Sequence, residues 1–192
     1  MGIEQEWLEI YGKKFIEQIG IQPGDVAIDF GSSVGRYSAV IAQVVGEKGV
    51  VHAIDNDPDA IEELKQKVVE YHCENIVQVV HADRIPDWIE EESIDFILCY
   101  DVLHYLERDE RAQLYKDILP ILKSATGILS IHPKHTTDDD FPYWNFKDLT
   151  VKDVVMEVES YGFQYEEKID AYLFHRDNLE FSSVFNFVKK TM

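Results

Sequence analysis

The chain has 192 residues, of which 45% are apolar, and it carries 37 acidic against 18 basic residues for a formal net charge of −19. That length suits one domain with a substantial core, 1–192, and that composition excludes a disordered chain. The acidic balance argues against nucleic acid as a partner, because phosphate binding needs a basic footprint.

At the N-terminus Ile3, Trp7, Ile10, Tyr11, Phe15 and Ile19 recur at helical spacing, which predicts an amphipathic helix within 1–20, placed to cover a site as a lid. IQPGD at 21–25 is a turn. Val26 to Phe30 is a first strand carrying one acid, Asp29, and it runs into a glycine-bearing turn, Gly31 to Gly35, and then a helix over 34–46. A second strand from Val50 ends at Asp55. Asp57 and Pro58 stand where an N-cap and first helical residue belong, and that helix runs to Tyr71. Further strands are predicted at 76–81, 94–99 and 128–131, with a helix over 108–122. The polar and aromatic stretch 134–149 reads as a long loop, and a helix over 150–160 follows. The aromatic tail reads as two long strands turned near Arg176 to Asn178.

This alternation predicts an α/β fold, a doubly wound and mostly parallel sheet with antiparallel strands at its C-terminal end. Cys73 and Cys99 fall in different elements and read as free thiols of a reducing compartment. The N-terminus lacks a basic region followed by an apolar run, and no stretch has the apolar length of a membrane span. A cytoplasmic protein with no membrane partner is the expectation.

In such a sheet, ligands sit beyond the carboxyl ends of the strands. Those ends carry Gly31-Ser32-Ser33-Val34-Gly35, Asp55-Asn56, Asp83-Arg84, Tyr100-Asp101 with His104, and His132-Pro133-Lys134-His135. A P-loop needs Gly-Lys-Ser/Thr, whereas the chain has Gly35-Arg36-Tyr37. A dinucleotide fingerprint needs G-x-G-x-x-G, and the loop is G-x-x-x-G with Ser33 at its middle. A nucleoside with a short zwitterionic tail and no phosphate fits better, with Asp55 as the carboxylate for ribose hydroxyls and Asp83 as an acceptor for an exocyclic amine. His132-x-x-His135 with Asp138 to Asp140 is too weak a pattern for a metal, and none is expected.

With VAIDFGSSVGRYS, VVHAIDNDPDAIEEL, IVQVVHAD, SIDFILCYDVLHYL and ILPILKSATGILSIHPKH in this order, residues 20–135 resemble the class I S-adenosylmethionine-dependent methyltransferases. The resemblance implies their Rossmann-like seven-stranded fold, with S-adenosylmethionine as cofactor. It implies cofactor contacts from Asp29, Gly31, Ser33, Gly35, Asp55, Asn56, Asp83, Arg84 and Tyr100, with Asp29 helping to place the methionine end. The family's middle glycine is Ser33 here, which raises the cost of a positive φ. His104 is the candidate general base or substrate contact near the sulfonium. A small-molecule acceptor is expected, with the 134–149 loop near its site, and the oligomeric state is not legible. A catalytically silent binding module is the alternative, motivated by Ser33 and the lack of a clear catalytic dyad. A nicotinamide oxidoreductase is a third reading that the loop argues against.

Overall fold

The computed structural model describes residues 2–175 and 178–190. Among them lie β1 (Val26–Phe30), β2 (Val50–Asp55), β3 (Val77–His81), β4 (Phe96–Tyr100), β5 (Ile128–His132), β6 (Phe163–His175) and β7 (Asn178–Lys189). They form a seven-stranded sheet in the order β3-β2-β1-β4-β5-β7-β6. The first five strands pair in parallel, and β7 runs antiparallel to both β5 and β6. Two reversals return β6 to the direction of β1–β5, so its C-terminal residue, His175, emerges at the same edge as their carboxyl ends. Arg176 and Asp177, at the expected final turn, lie outside the described residues.

The helices are α1 (Ile3–Glu6), α2 (Gly12–Gln18), α3 (Arg36–Val45), α4 (Pro58–Glu70), α5 (Arg108–Ile121) and α6 (Val151–Ser160). Their starts follow local chemistry. Asp57 accepts from the backbone N–H of Asp59 at 2.9 Å, with Pro58 in the first helical position of α4. Thr150 and Asp153 cap α6 reciprocally. The strands alternate between two cores, as period-2 geometry requires. Ala27, Val51, Ala53 and Leu98 face the layer holding α2, α3 and α4, while Ile28, Phe30, Ile97 and Ile131 face α5 and α6. The buried Arg111 side chain ties α5 to α6 through Glu157 at 2.7 and 2.8 Å.

The N-terminal segment departs from the expected stripe. Trp7–Tyr11 is a π-helical stretch between α1 and α2, in which the N–H of Gly12 donates to Trp7 O. One extra residue in that turn rotates the face. Leu8 and Ile16 join Trp7, Phe15 and Ile19 in the core, while Ile3 and Ile10 are 45% and 49% exposed. Gly12 allows the close crossing, since a Cβ there would meet Val40 Cγ2 at 2.8 Å.

Candidate active site

A cleft of about 470 Å³ opens at the carboxyl ends of the parallel strands, where such sheets bind ligands. Its first wall is the loop after β1. Gly31 and Gly35 hold φ of 79° and 84°. A Cβ on Gly35 would lie 2.1 Å from Leu64 Cδ1, so this glycine is fixed both by backbone conformation and by close packing on α4. Ser33 takes a φ of 48°, the left-handed conformation that its side chain makes costly. Its N–H donates to Asp55 Oδ2 at 2.7 Å. Asp55 Oδ1 accepts from the N–H of Asp57 at 2.9 Å. The carboxylate at the end of β2 therefore joins two loops and is held by two backbone donors.

Gly31, Ser33, Asp55, Asn56, Asp83 and Tyr100 all line the cleft. Asp29 and Gly35 stand behind its lining. Asp29 is buried, and Ser38 Oγ donates to its Oδ2 at 2.6 Å, pinning the first turn of α3 to β1. Burial pushes the Asp29 carboxyl up to about 6 against the lowering effect of the Ser38 hydrogen bonds, and the Asp55 charge raises it further. The Tyr100 hydroxyl lies 2.7 Å from Ser130 Oγ, and burial raises its pKa. Arg84 does not reach the cleft. It is exposed, and its guanidinium turns to Asp87 at 2.8 Å, its neighbour in the same connector.

His104 also departs from its expected role. The ring is buried away from the cleft, stacked on Trp144 at 4.9 Å and 22°, with neither nitrogen hydrogen-bonded. Desolvation lowers its pKa to about 3, opposed by the Asp101 charge. A ring so placed packs the 134–149 loop onto the segment after β4 and makes a poor base. The N–H of Asn145 donates to His104 O at 3.1 Å in the same contact. The N-terminal helix contributes no lining residue. It backs the cleft through Trp7, whose Nε1 donates to Arg36 O at 3.3 Å.

Residues to which sequence reasoning gave no cofactor or catalytic role, Asp101, His132 and His175, gather at the other wall. Asp101, at the end of β4, has a φ of 53°. Its Oδ2 accepts from His175 Nδ1 at 2.8 Å, and His132 Nδ1 lies 2.8 Å from its Oδ1. Burial alone would raise the Asp101 carboxyl. The neighbouring His132 and His175 outweigh that effect and hold it well below the usual carboxylate range. Tyr37 fixes the end of β6: its hydroxyl donates to Phe174 O at 3.1 Å and accepts from the Phe174 N–H at 3.2 Å. Asp101 was visible as a strand-end acid. Nothing local marked His175, which lies 74 residues further along the chain.

Beyond His175 a second cavity, of about 720 Å³, is walled by the 134–149 loop, among them Phe141, Tyr143 and Trp144. No group of three or more histidine, cysteine or acidic side chains among the described residues is arranged to hold a metal ion. Nor, among them, is any helix long and apolar enough to cross a membrane.

The sequence pattern of the methyltransferase domain family matches residues 27–125, just over half of the chain. Protein-L-isoaspartate O-methyltransferase of Methanococcus maripaludis is 32% identical over 81 residues, which are 42% of this chain and 38% of that protein. A probable cobalt-precorrin-6B C(15)-methyltransferase (decarboxylating) of Sulfurisphaera tokodaii is 44% identical over 50 residues, 26% of this chain and 26% of that one. The chain thus spans well under half the length of these curated relatives. A crystal structure of an S-adenosylmethionine-dependent methyltransferase from Aquifex aeolicus superposes with a TM-score of 0.74 at 20% identity, covering 95% of this chain and 92% of that one, and it shares the fold. The chain belongs to the methyltransferase domain family, and it has the fold of an S-adenosylmethionine-dependent methyltransferase.

Proposed function

We propose that this chain transfers a methyl group from S-adenosylmethionine to a small-molecule acceptor. The observation that carries the reading is the Asp55 carboxylate, fixed by two backbone donors against the glycine loop, in a cleft at the carboxyl ends of parallel strands. Held in this way, its remaining lone pairs suit the vicinal hydroxyls of a ribose, and its charge repels a phosphate there. The Ser32 hydroxyl is buried in the cleft wall without a hydrogen-bond partner among the described residues, a group that a polar ligand would satisfy. These residues fit the cofactor.

On this reading Gly31 and Ser33 present the loop backbone to the methionyl end, and Gly35 and Asp29 hold that loop and α3 in place. Asp55 and Asn56 take the ribose, Asp83 accepts from the adenine amine, and Tyr100 forms the floor. When bound, S-adenosylmethionine supplies an electrophilic methyl carbon, to which an acceptor lone pair bonds as the C–S pair departs with sulfur. The chain's own work is alignment and exclusion of water. The two relatives carry names that place one on a protein and one on a precorrin, so the acceptor is argued from this chain's own surfaces. A walled cavity beside the cleft and a net charge of −19 favour a small molecule over nucleic acid. Calorimetry with S-adenosylhomocysteine tests the reading. Saturable one-to-one binding supports it, and a folded protein that gives no binding heat removes it.

A further inference from the structure

His175 borders both the cofactor cleft and the second cavity. We propose that His175 is the general base that takes the acceptor's proton, and that the acceptor is a protonated amine held in the second cavity. This rests on the methyl-transfer reading above, and it assigns that reaction a base and a substrate class.

The geometry of the base is set by chemistry. A carboxylate can only accept, so the 2.8 Å contact from His175 Nδ1 to Asp101 Oδ2 places the imidazole proton on Nδ1. Nε2 is then the lone-pair nitrogen of a ring lying between the two cavities. Asp101 is the positioning residue, held in turn by His132, whose Nε2 lies 2.8 Å from Ser182 Oγ. Six non-glycine residues among those described have positive φ, and four of them, Ser33, Asp101, His135 and Trp144, line the cleft or the second cavity. Backbone strain of this kind collects where the surrounding fold over-determines a site.

The charge and shape of the second cavity set the class of acceptor. Among the described residues, Asp139, Asp140 and Glu180 line it with one lysine, Lys134, whose ammonium lies 3.0 Å from Glu180 and 4.0 Å from Asp139. The rings of Tyr143 and Trp144 meet there at 4.6 Å and 85°, giving two perpendicular aromatic walls. Aromatic faces with surplus carboxylates attract a cation and repel an anion. An ammonium is not a nucleophile until it loses a proton, which is why a base belongs at this junction. One N–H proton passes to His175 Nε2. The electron pair of that N–H bond stays on nitrogen and forms the new N–C bond, and the imidazolium sits against the Asp101 carboxylate until solvent takes the proton.

The test uses the full chain in three measurements. Nitrogen-15 spectra of the histidine rings, with S-adenosylhomocysteine present, should show His175 protonated at Nδ1 in the wild type. In Asp101→Asn that preference should be lost. A wild-type His175 protonated at Nε2 would overturn the assignment. Methyl transfer is then assayed with phenethylamine, phenethyl alcohol and phenylacetate as matched probes. Transfer to the amine alone is expected, with His175→Gln lowering kcat at least about a hundredfold while S-adenosylhomocysteine affinity stays within about threefold. Transfer to the alcohol or the carboxylate, no transfer to the amine, or a His175→Gln rate near wild type would overturn the proposal. Failure of wild-type protein to bind S-adenosylhomocysteine at all would instead remove the reading beneath it.

Discussion

Asp101 and His175 meet at 2.8 Å, joining the residue after β4 to the last residue of β6 across 74 positions of sequence. The contact closes one side of the cleft and ties the antiparallel end of the sheet to its parallel centre. Asp101→Asn should destabilise the fold by about 1–3 kcal/mol, because it weakens a partly buried contact to two imidazoles. Urea unfolding near neutral pH measures this, and unchanged stability would mean that the contact holds nothing together.

Two buried groups should push stability in opposite directions with pH. Asp29 is raised from 3.8 to about 6, so its contribution is fully present below 3.8 and is lost as pH rises through about 6, an effect on the order of 3 kcal/mol. His104 is lowered from 6.5 to about 3, so the unfolded chain binds the proton more readily, and stability is lost as pH falls from 6.5 toward 3. The two effects oppose each other in the wild type.

Asp29→Asn should therefore leave a protein whose stability falls more steeply on acidification below pH 6.5. His104→Phe should leave one that gains stability as pH drops from 7 to 5. Melting each variant at several pH values separates them, and parallel pH profiles for both would show that neither group titrates as argued.

His104→Phe should also keep S-adenosylhomocysteine affinity, since the ring packs on Trp144 outside the cleft and makes no hydrogen bond through either nitrogen. Stability at neutral pH should hold or improve by about 1 kcal/mol, because a buried unsatisfied polar group is exchanged for an apolar ring. A large loss of affinity would return His104 to the site.

Ser33→Gly tests the loop. The left-handed φ costs a non-glycine residue about 1–2 kcal/mol, and the entropy of glycine takes back about 0.5–1 kcal/mol. A small net gain in stability is expected. The Ser33 contact to Asp55 uses the backbone N–H, so cofactor-product affinity should change by less than about threefold. A tenfold loss would assign the ligand to the serine hydroxyl instead.

The sequence carried the parallel sheet, the helix caps and most of the cleft, because those features are local. Strand periodicity, Asp57-Pro58 at a helix start and acids at strand ends each follow from a few adjacent residues. What it did not carry depends on which neighbour a side chain chooses, on irregular helix geometry and on distant partners. Arg84 is next to Asp83 in sequence, yet an Asp87 one turn away captures it. Ile10 fits a regular helical stripe, but the π-turn at Trp7–Tyr11 shifts the phase, and Leu8 is buried instead. His175 emerged only once β7 inserted between β5 and β6 and returned β6 to the parallel direction. An acid–imidazole pair, Asp101 with His175, is thus brought together in space, though no spacing announces it.

The most direct measurement is calorimetric titration of S-adenosylhomocysteine into the wild type, Asp55→Ala and Arg84→Ala. Asp55 has two backbone donors and faces the cleft, whereas Arg84 faces away. The account predicts one-to-one binding by the wild type, a loss of at least about tenfold in Asp55→Ala and wild-type affinity in Arg84→Ala. Folded wild-type protein that does not bind, or Asp55→Ala that binds as tightly as the wild type, would contradict it.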